Sequence, residues 1–191
     1  MDSRKFLSSE ERAALETFLV ERLDRDLRNA TLILAAVHTG ARATELLALE
    51  WTDINVETGE IVLRTLKRVK RRPGDTDADA EKRRLQSQRS NARPVVVPKL
   101  IRDALRRLKI ESPERPFPLS YNRLGEIWRE YRPIAKPFKA LRHSFAMRAY
   151  DRTKDIRFVQ KALGHESINS TMIYLEYQYT ASEFKKLMRV R

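Results

Sequence analysis

Helical periodicity covers almost the whole chain, and two short segments have instead the composition of β-strands. They are EIVLRTL, residues 60–66, and ARPVVVP, residues 92–98, and both are rich in β-branched side chains. Elsewhere apolar residues recur at the three- and four-residue spacing of amphipathic helices. The two strands are expected to pair with each other. The pattern therefore predicts a mainly α-helical domain with a small antiparallel β-sheet, an α+β fold.

The predicted helices carry start and stop signals. The first begins at Ser8 or Ser9, with Glu10 and Glu11 in its first turn. The second is more apolar and ends at Gly40. The later helical segments are ATELLALEW, KLIRDALRRL, SYNRLGEIWREYR, KALRHSFAMRAYDR, DIRFVQKALG and INSTMIYLEY.

The connection between the two strands, over about residues 68–94, is the longest segment without a clear helical or strand pattern. Connections of this length are usually functional or mobile. The chain has 191 residues, which fits one domain. We place that domain at residues 1–180 and a short basic amphipathic tail at residues 181–191.

The charge balance favours a polyanionic partner. Lys and Arg total 39 against 26 Asp and Glu, a formal net charge of +13, and nucleic acid is the default polyanion. The absence of cysteine excludes disulfides, thiolate metal sites and cysteine nucleophiles, and it suits a reducing cytoplasm. No apolar stretch approaches the roughly 18 residues of a membrane span, so no membrane partner is predicted.

Four motifs carry side chains suited to chemistry on a phosphate. TGARATEL places Arg42 at a turn before a helix, and RTLK places Lys67 at the end of a strand. KALRHSFA contains Arg142 near a helix start, and LGHESINSTMIY separates His165 in a turn from Tyr174 by nine residues. Each residue alone is ordinary, since a lone arginine or lysine in such a place is usually a surface charge.

In this order the four motifs resemble the catalytic domain of the tyrosine recombinases, the family of phage integrases and Xer-type recombinases. The resemblance runs from about residue 8 to residue 180. It implies a site-specific DNA recombinase or integrase in which a tyrosine oxygen attacks a phosphodiester, forms a 3′-phosphotyrosyl link and releases a 5′-hydroxyl. Covalent catalysis of this kind conserves the bond energy. No ATP is then needed, and no metal is needed where cations of the protein stabilise the charge on the phosphate oxygens, so the resemblance implies no cofactor.

The resemblance also implies a role for each motif residue. Tyr174 is the nucleophile, while Arg42 and Arg142 bind the non-bridging phosphate oxygens, a task that suits the planar and permanently charged guanidinium. Lys67 is the general acid on the leaving 5′-oxygen. His165 hydrogen-bonds the phosphate.

One position departs from the family pattern. The family usually has a histidine three residues before the second arginine, and here that residue is Lys139. A protonated lysine cannot take the tyrosine proton. Either Lys139 is a third cation on the phosphate, with water or His165 taking the proton, or burial near the arginines makes Lys139 itself the base. We favour the first arrangement, which leaves the general base unassigned.

Further side chains have expected supporting roles. Glu45 stands where the family commonly has an acidic residue, and we expect it to orient a neighbouring catalytic side chain. The alternative is an ordinary carboxylate on the helix surface or in the first turn of the helix. Of the last three tyrosines, only Tyr174 lies nine residues after His165. Tyr177 is expected to share its helix face without being the nucleophile, and Tyr179 is expected to pack or to belong to the tail. His143 is expected to pack or to hydrogen-bond in the core.

The resemblance implies double-stranded DNA as the partner and a homo-oligomer, from dimer to tetramer, on that DNA. The tail is expected either to dock on a neighbouring subunit or to fold back on its own domain. Most family members carry a further domain before the catalytic one, so this chain is either a natural single-domain enzyme or a piece of a longer one, and an accessory protein is a further candidate partner. In the family the strand hairpin approaches the minor groove, and the cations expected to contact DNA there are Lys67, Arg68, Lys70, Arg71 and Arg72.

Two alternative functions remain. One is a non-catalytic or partner-dependent DNA-binding module with the same fold. The other is a type IB topoisomerase-like enzyme that relaxes or resolves DNA with the same tyrosine chemistry. The complete set of arginine, histidine and tyrosine residues speaks against the first, because a protein that only binds DNA needs no nucleophile.

Overall fold

α-Helices form most of the residues that the computed structural model describes, which are 6–65, 76–79, 82, 92–133 and 135–174. The mainly α-helical prediction is confirmed. In chain order the elements are α1 (Ser9–Arg22), α2 (Leu27–Thr39), α3 (Ala43–Leu47), a 3-10 turn (Trp51–Asp53), β1 (Ile54–Asn55), β2 (Glu60–Arg64), β3 (Ala92–Val96), α4 (Lys99–Glu111), α5 (Tyr121–Tyr131), α6 (Lys139–Thr153), α7 (Ile156–Leu163) and α8 (Asn169–Met172).

The sheet has three strands in the order β1-β2-β3. β2 and β3 pair antiparallel, with Glu60 opposite Val96 and Arg64 opposite Ala92, which confirms the predicted pairing of the two strand segments. β1 adds an edge that was not predicted, because two residues are too short to show a periodicity. β3 begins at Ala92, so the connection between the strands ends before residue 94.

Local signals start the first helix and end the second helix as predicted. Ser8 caps α1: its hydroxyl accepts a hydrogen bond from the Glu11 amide at 3.1 Å, and the Glu11 carboxylate accepts one from the Ser8 amide at 2.8 Å. Gly40 closes α2 in the left-handed conformation at φ 61°. α3 is shorter than its sequence pattern suggests, since it ends at Leu47 and a 3-10 turn follows.

α2 runs through the centre of the hydrophobic core, with Leu32, Ile33 and Ala35 fully buried. It packs against α1, α4 and α6, which is why most of its residues are buried. A second, smaller apolar cluster lies between α6, α7 and Tyr174, which is two residues beyond the end of α8. Within the described ranges, no helix has both the length and the apolar character needed to cross a lipid bilayer.

Two glycines, Gly40 at the end of α2 and Gly125 inside α5, provide a matched pair of stability tests. At Gly40 an alanine methyl would collide with the ring of Phe145, and the backbone φ of 61° is unfavourable for alanine. Gly40→Ala should therefore lower the free energy of unfolding by about 2–4 kcal/mol. Gly125 lies exposed inside α5 with open space around it, so Gly125→Ala should raise that free energy by about 0.5–1 kcal/mol. Urea denaturation followed by circular dichroism measures both, and equal effects would contradict this account.

Candidate active site

Arg42 immediately precedes α3 and is held there by Glu45. Its backbone N–H donates to Glu45 Oε2 at 2.8 Å, and its guanidinium Nη1 donates to Glu45 Oε1 at 2.8 Å. The Arg42 side chain nevertheless stays 38% exposed, whereas that of Glu45 is fully buried. Glu45 is thus not a surface carboxylate. It fixes the direction of a guanidinium that remains open to a ligand.

Glu45 binds further groups on the sheet side. Arg93 approaches it in a two-point contact, with Nη1 3.1 Å from Oε1 and Nη2 2.7 Å from Oε2. The hydroxyl of Thr65 donates to Oε1 at 3.3 Å. Burial raises the pKa of the Glu45 carboxyl, but the hydrogen bonds and charge of Arg93, together with Arg42, outweigh burial and lower the pKa to about 2.

Arg93 is a site residue that the sequence reasoning missed. From β3 its Nε donates to the carbonyl oxygen of Ala162, near the end of α7, while its Nη atoms bind Glu45. Arg93 therefore links the sheet to the turn that carries His165. A signal was available, because Arg93 occupies the inward-facing phase of β3, two residues before Val95. A charged residue in that phase is buried only with partners.

Arg142 binds the ends of two helices. Its Nη1 donates to the Gly40 carbonyl at 2.7 Å, and its Nη2 donates to the Leu163 carbonyl at 2.6 Å. Carbonyls at helix C-termini carry partial negative charge, which favours a cation there. Burial, then the charge of Arg42, lowers the pKa of Arg142 to about 10, so the guanidinium stays charged at neutral pH. Its Nη1 also lies 3.9 Å from Glu45 Oε2.

His165 lies in the turn after Gly164, as predicted. Its backbone N–H donates to the Gln160 carbonyl at 3.0 Å, and its Nδ1 lies 2.9 Å from Thr171 Oγ1. Burial, followed by the charges of Arg142, Arg42 and Arg93, lowers the pKa of His165 to about 4. The imidazole is therefore neutral at pH 7 before an anion binds.

Tyr174 lies in a turn two residues beyond the end of α8, so its predicted position on that helix is wrong. Its ring is 1% exposed and packs with the apolar cluster of α6 and α7. Its hydroxyl lies 3.0 Å from His143 Nδ1. Burial raises the pKa of the Tyr174 hydroxyl, while the charges of Arg142 and Arg42 act in the opposite direction. The phenol thus lies within electrostatic reach of both arginines.

The remaining predicted site residues are exposed or undescribed. Lys139 is exposed at the first residue of α6, so the burial that a lysine base requires is missing. The tail at 181–191 lies outside the described residues. So do the predicted DNA-contacting cations, including the predicted general acid, and the two later tyrosines: Lys67, Arg68, Lys70, Arg71, Arg72, Tyr177 and Tyr179.

Comparison with known proteins gives concordant matches. The family model described as the phage integrase family matches residues 5–181. The tyrosine recombinase XerA of Pyrococcus furiosus is 31% identical over 182 residues, which cover 88% of this chain and 56% of the relative. The chain therefore spans little more than half the length of that relative.

Solved structures show the same fold. The crystal structure of XerA recombinase superposes with a TM-score of 0.66 at 23% identity, covering 97% of this chain and 65% of the other. The Tn1549 transposon integrase, solved in complex with a circular intermediate DNA, superposes with a TM-score of 0.64 at 17% identity, covering 99% of this chain and 67% of the other.

The buried carboxylate at the centre of the site has a measurable pH signature. The ionised form of Glu45, with a pKa of about 2 in the fold against an ordinary 4.5, should stabilise the fold above pH 4.5 by about 3 kcal/mol. That stability is lost as the pH falls from 4.5 towards 2. Glu45→Gln should cost about 3–5 kcal/mol at pH 7, because Arg93 loses a buried counter-charge. The difference in the free energy of unfolding between wild type and Glu45→Gln should become smaller as the pH falls.

Urea denaturation from pH 7 to pH 3, followed by circular dichroism, measures this difference. Glu114→Gln is the matched control, since Glu114 is exposed in the segment between α4 and α5, and it should follow the wild type at every pH. A difference between wild type and Glu45→Gln that stays constant over the whole range would contradict the role given to Glu45.

Proposed function

We propose that this chain, which belongs to the phage integrase family, cleaves and rejoins double-stranded DNA through a covalent 3′-phosphotyrosyl intermediate. One observation carries the proposal: Arg42 and Arg142 act electrostatically on both His165 and Tyr174, although the four residues come from four separate segments. A protein that only bound DNA would need the cations, but it would have no use for a phenol beside them.

The site suits the transition state of phosphoryl transfer. Three guanidinium groups surround one carboxylate, so positive charge remains in excess among Arg42, Arg93, Arg142 and Glu45. Arg42 and Arg142 are the two that we assign to the non-bridging phosphate oxygens. Their positions are fixed before DNA binds, by Glu45 and by the helix-terminal carbonyls, and preorganised donors stabilise developing charge without reorganisation.

The other groups complete the reaction. We assign the attack on phosphorus to Tyr174 Oη and the donation of a proton to the leaving 5′-oxygen to Lys67. His165, neutral at pH 7, is assigned a hydrogen bond to the phosphate. Lys139, exposed at the start of α6, is assigned as a third cation.

The partners follow from the same chemistry. The Tn1549 integrase is a structural neighbour solved with DNA, and the net charge of +13 supports a duplex partner here. We assign DNA contacts to the basic segment at 67–72 and assembly into a dimer to tetramer on DNA, with the tail at 181–191 docking on a neighbour. The site of action is then the cytoplasm, on the nucleoid or on the DNA of a mobile element in its host.

Tyr174→Phe provides the decisive test. Wild-type protein incubated with supercoiled plasmid and quenched with SDS should give protein linked covalently to DNA and relaxed topoisomers, with the linked peptide mapping to Tyr174. Tyr174→Phe should give neither, because phenylalanine has no nucleophilic oxygen, and it should bind DNA within about twofold of wild type.

Tyr121→Phe is the matched control, since Tyr121 is 65% exposed on α5, and it should behave as wild type. Adducts that persist in Tyr174→Phe would refute the assignment of the nucleophile. Tight DNA binding by the wild type with no adduct would favour the non-catalytic alternative.

Arg42→Lys tests the guanidinium clamp separately from charge. Lysine keeps the positive charge but loses the planar fork that contacts two oxygens, so adduct formation should slow by about 10- to 100-fold. The control is Arg123→Lys on α5, where the arginine pairs with Glu126 at the surface. The rate of adduct formation under single-turnover conditions is measured for wild type, Arg42→Lys and Arg123→Lys. Equal rates for all three would exclude a two-point contact of the Arg42 guanidinium with the phosphate.

A further inference from the structure

The proposed cleavage leaves one proton without an acceptor. The Tyr174 hydroxyl must lose its proton as it attacks, and burial raises its pKa, so ionisation without a base is unfavourable at neutral pH. With its ring 1% exposed, the tyrosine has little access to bulk water. Lys139, at the position where the family usually has a histidine, is exposed at the start of α6.

The imidazole of His143 lies where the missing acceptor is needed. Its Nδ1 atom is 3.0 Å from Tyr174 Oη, within the reach of a general base. The two rings have centroids 5.8 Å apart and planes inclined by 57°. Imidazole changes its protonation state near neutral pH more readily than any other side chain, which suits it to take and return a proton in each cycle.

The helical register of α6 fixes this contact. Met147 lies four residues after His143, on the same helix face, and belongs to the apolar cluster around Tyr174. Arg142, the preceding residue, points instead to the carbonyls of Gly40 and Leu163. Adjacent residues of one helix thus carry a phosphate-binding cation and a group in contact with the nucleophile.

His165 is less suited to the same task. Its Nδ1 contacts Thr171 Oγ1 at 2.9 Å, and burial with the charges of Arg142, Arg42 and Arg93 lowers its pKa to about 4. Before phosphate binds, an imidazole of such low basicity is a poor proton acceptor, and its Nδ1 is already occupied by Thr171. Its place near the arginines suits a hydrogen bond to the phosphate.

We propose that Nδ1 of His143 accepts the phenolic proton of Tyr174 as the tyrosine oxygen attacks the DNA phosphate. This proposal rests on the proposed function. In the cleavage step the Oη–P bond forms, the P–O5′ bond breaks, the Tyr174 proton moves to His143, and the 5′-oxygen takes a proton from the general acid. In rejoining, the 5′-hydroxyl gives its proton back to the deprotonated general acid and its oxygen attacks phosphorus. The P–Oη bond then breaks, and the His143 imidazolium returns its proton to Tyr174 Oη.

A first measurement needs no DNA. For Nδ1 to accept a proton, the neutral imidazole of His143 must carry its hydrogen on Nε2. Nitrogen NMR of the ¹⁵N-histidine-labelled protein should show His143 Nδ1 unprotonated in the neutral ring, with a resonance that moves in Tyr174→Phe. A neutral ring protonated on Nδ1 would overturn the proposal, whatever the protein does to DNA.

A second measurement follows cleavage. His143→Gln keeps a polar side chain of similar size but removes the base, so single-turnover adduct formation should fall by about a hundredfold, while DNA binding changes less than about twofold. The control is His38→Gln, because His38 lies on α2 and pairs with Glu16 away from the site, and it should keep the wild-type rate. A wild-type rate in His143→Gln would overturn the proposal.

Chemical rescue separates a proton acceptor from a packing residue. His143→Ala opens space beside the tyrosine, and added imidazole should restore adduct formation in proportion to its concentration, with more basic imidazoles restoring more. The double variant with Tyr174→Phe should not respond. Slow cleavage in His143→Ala that no imidazole restores, with circular dichroism showing an intact fold, would overturn the proposal.

The two proposals fail in different ways. If the wild type forms no adduct in the plasmid assay, the proposed function fails. The nitrogen NMR measurement, through the tautomer of His143 and the change of its resonance in Tyr174→Phe, still decides whether Tyr174 donates a hydrogen bond to His143 Nδ1. If the wild type forms adducts at Tyr174 and His143→Gln forms them equally fast, the function stands and His143 is not the base.

Discussion

The buried carboxylate of Glu45 holds together elements that are far apart in sequence. It accepts hydrogen bonds from Arg42 at the start of α3, from Arg93 on β3 and from Thr65 just after β2. Without that negative charge, the guanidinium groups around it would repel one another in a medium of low dielectric constant. The direction of Arg42, the docking of the sheet and the position of the α7–α8 turn all depend on this one ion-pair network.

The same network explains the protonation states of its neighbours. One carboxylate does not neutralise three arginines, and the excess positive charge, added to burial, keeps His165 neutral and partly offsets the effect of burial on Tyr174. A phosphate would bring the negative charge that the site lacks. The electrostatics of the site are therefore complementary to an oxyanion before any ligand binds. The contacts of Glu45 maintain that complementarity because they hold the arginines in place.

Local signals explain what could be predicted from the sequence. Short patterns in the sequence predict several features correctly. They are the cap at Ser8, the end of α2 at Gly40, the pairing of the two strands, and the places of Arg42 and His165 at helix ends. The sequence could not reveal the contact of Arg93 with Glu45, 48 residues apart, or that of His143 with Tyr174, 31 residues apart, because such contacts depend on how the elements pack. Tyr174 lies beyond α8 rather than on it, and its ring packs in the apolar cluster of α6 and α7, a contact that also depends on how the elements pack.

Two glycine-terminated helices determine where the cations can lie. α2 ends at Gly40 and α7 ends at Gly164, both with positive φ, and the carbonyls of Gly40 and Leu163 both accept from Arg142. A side chain at Gly164 would approach Arg93 Nη1 to 2.9 Å, and one at Gly40 would collide with Phe145. The positive φ favours glycine at both helix ends. A side chain there would also press on a neighbour, the Phe145 ring at Gly40 and the Arg93 guanidinium at Gly164. Because Arg142 binds both helix ends, a substitution at either glycine would displace its guanidinium. His143 is the next residue on α6, so its contact with Tyr174 would be disturbed as well.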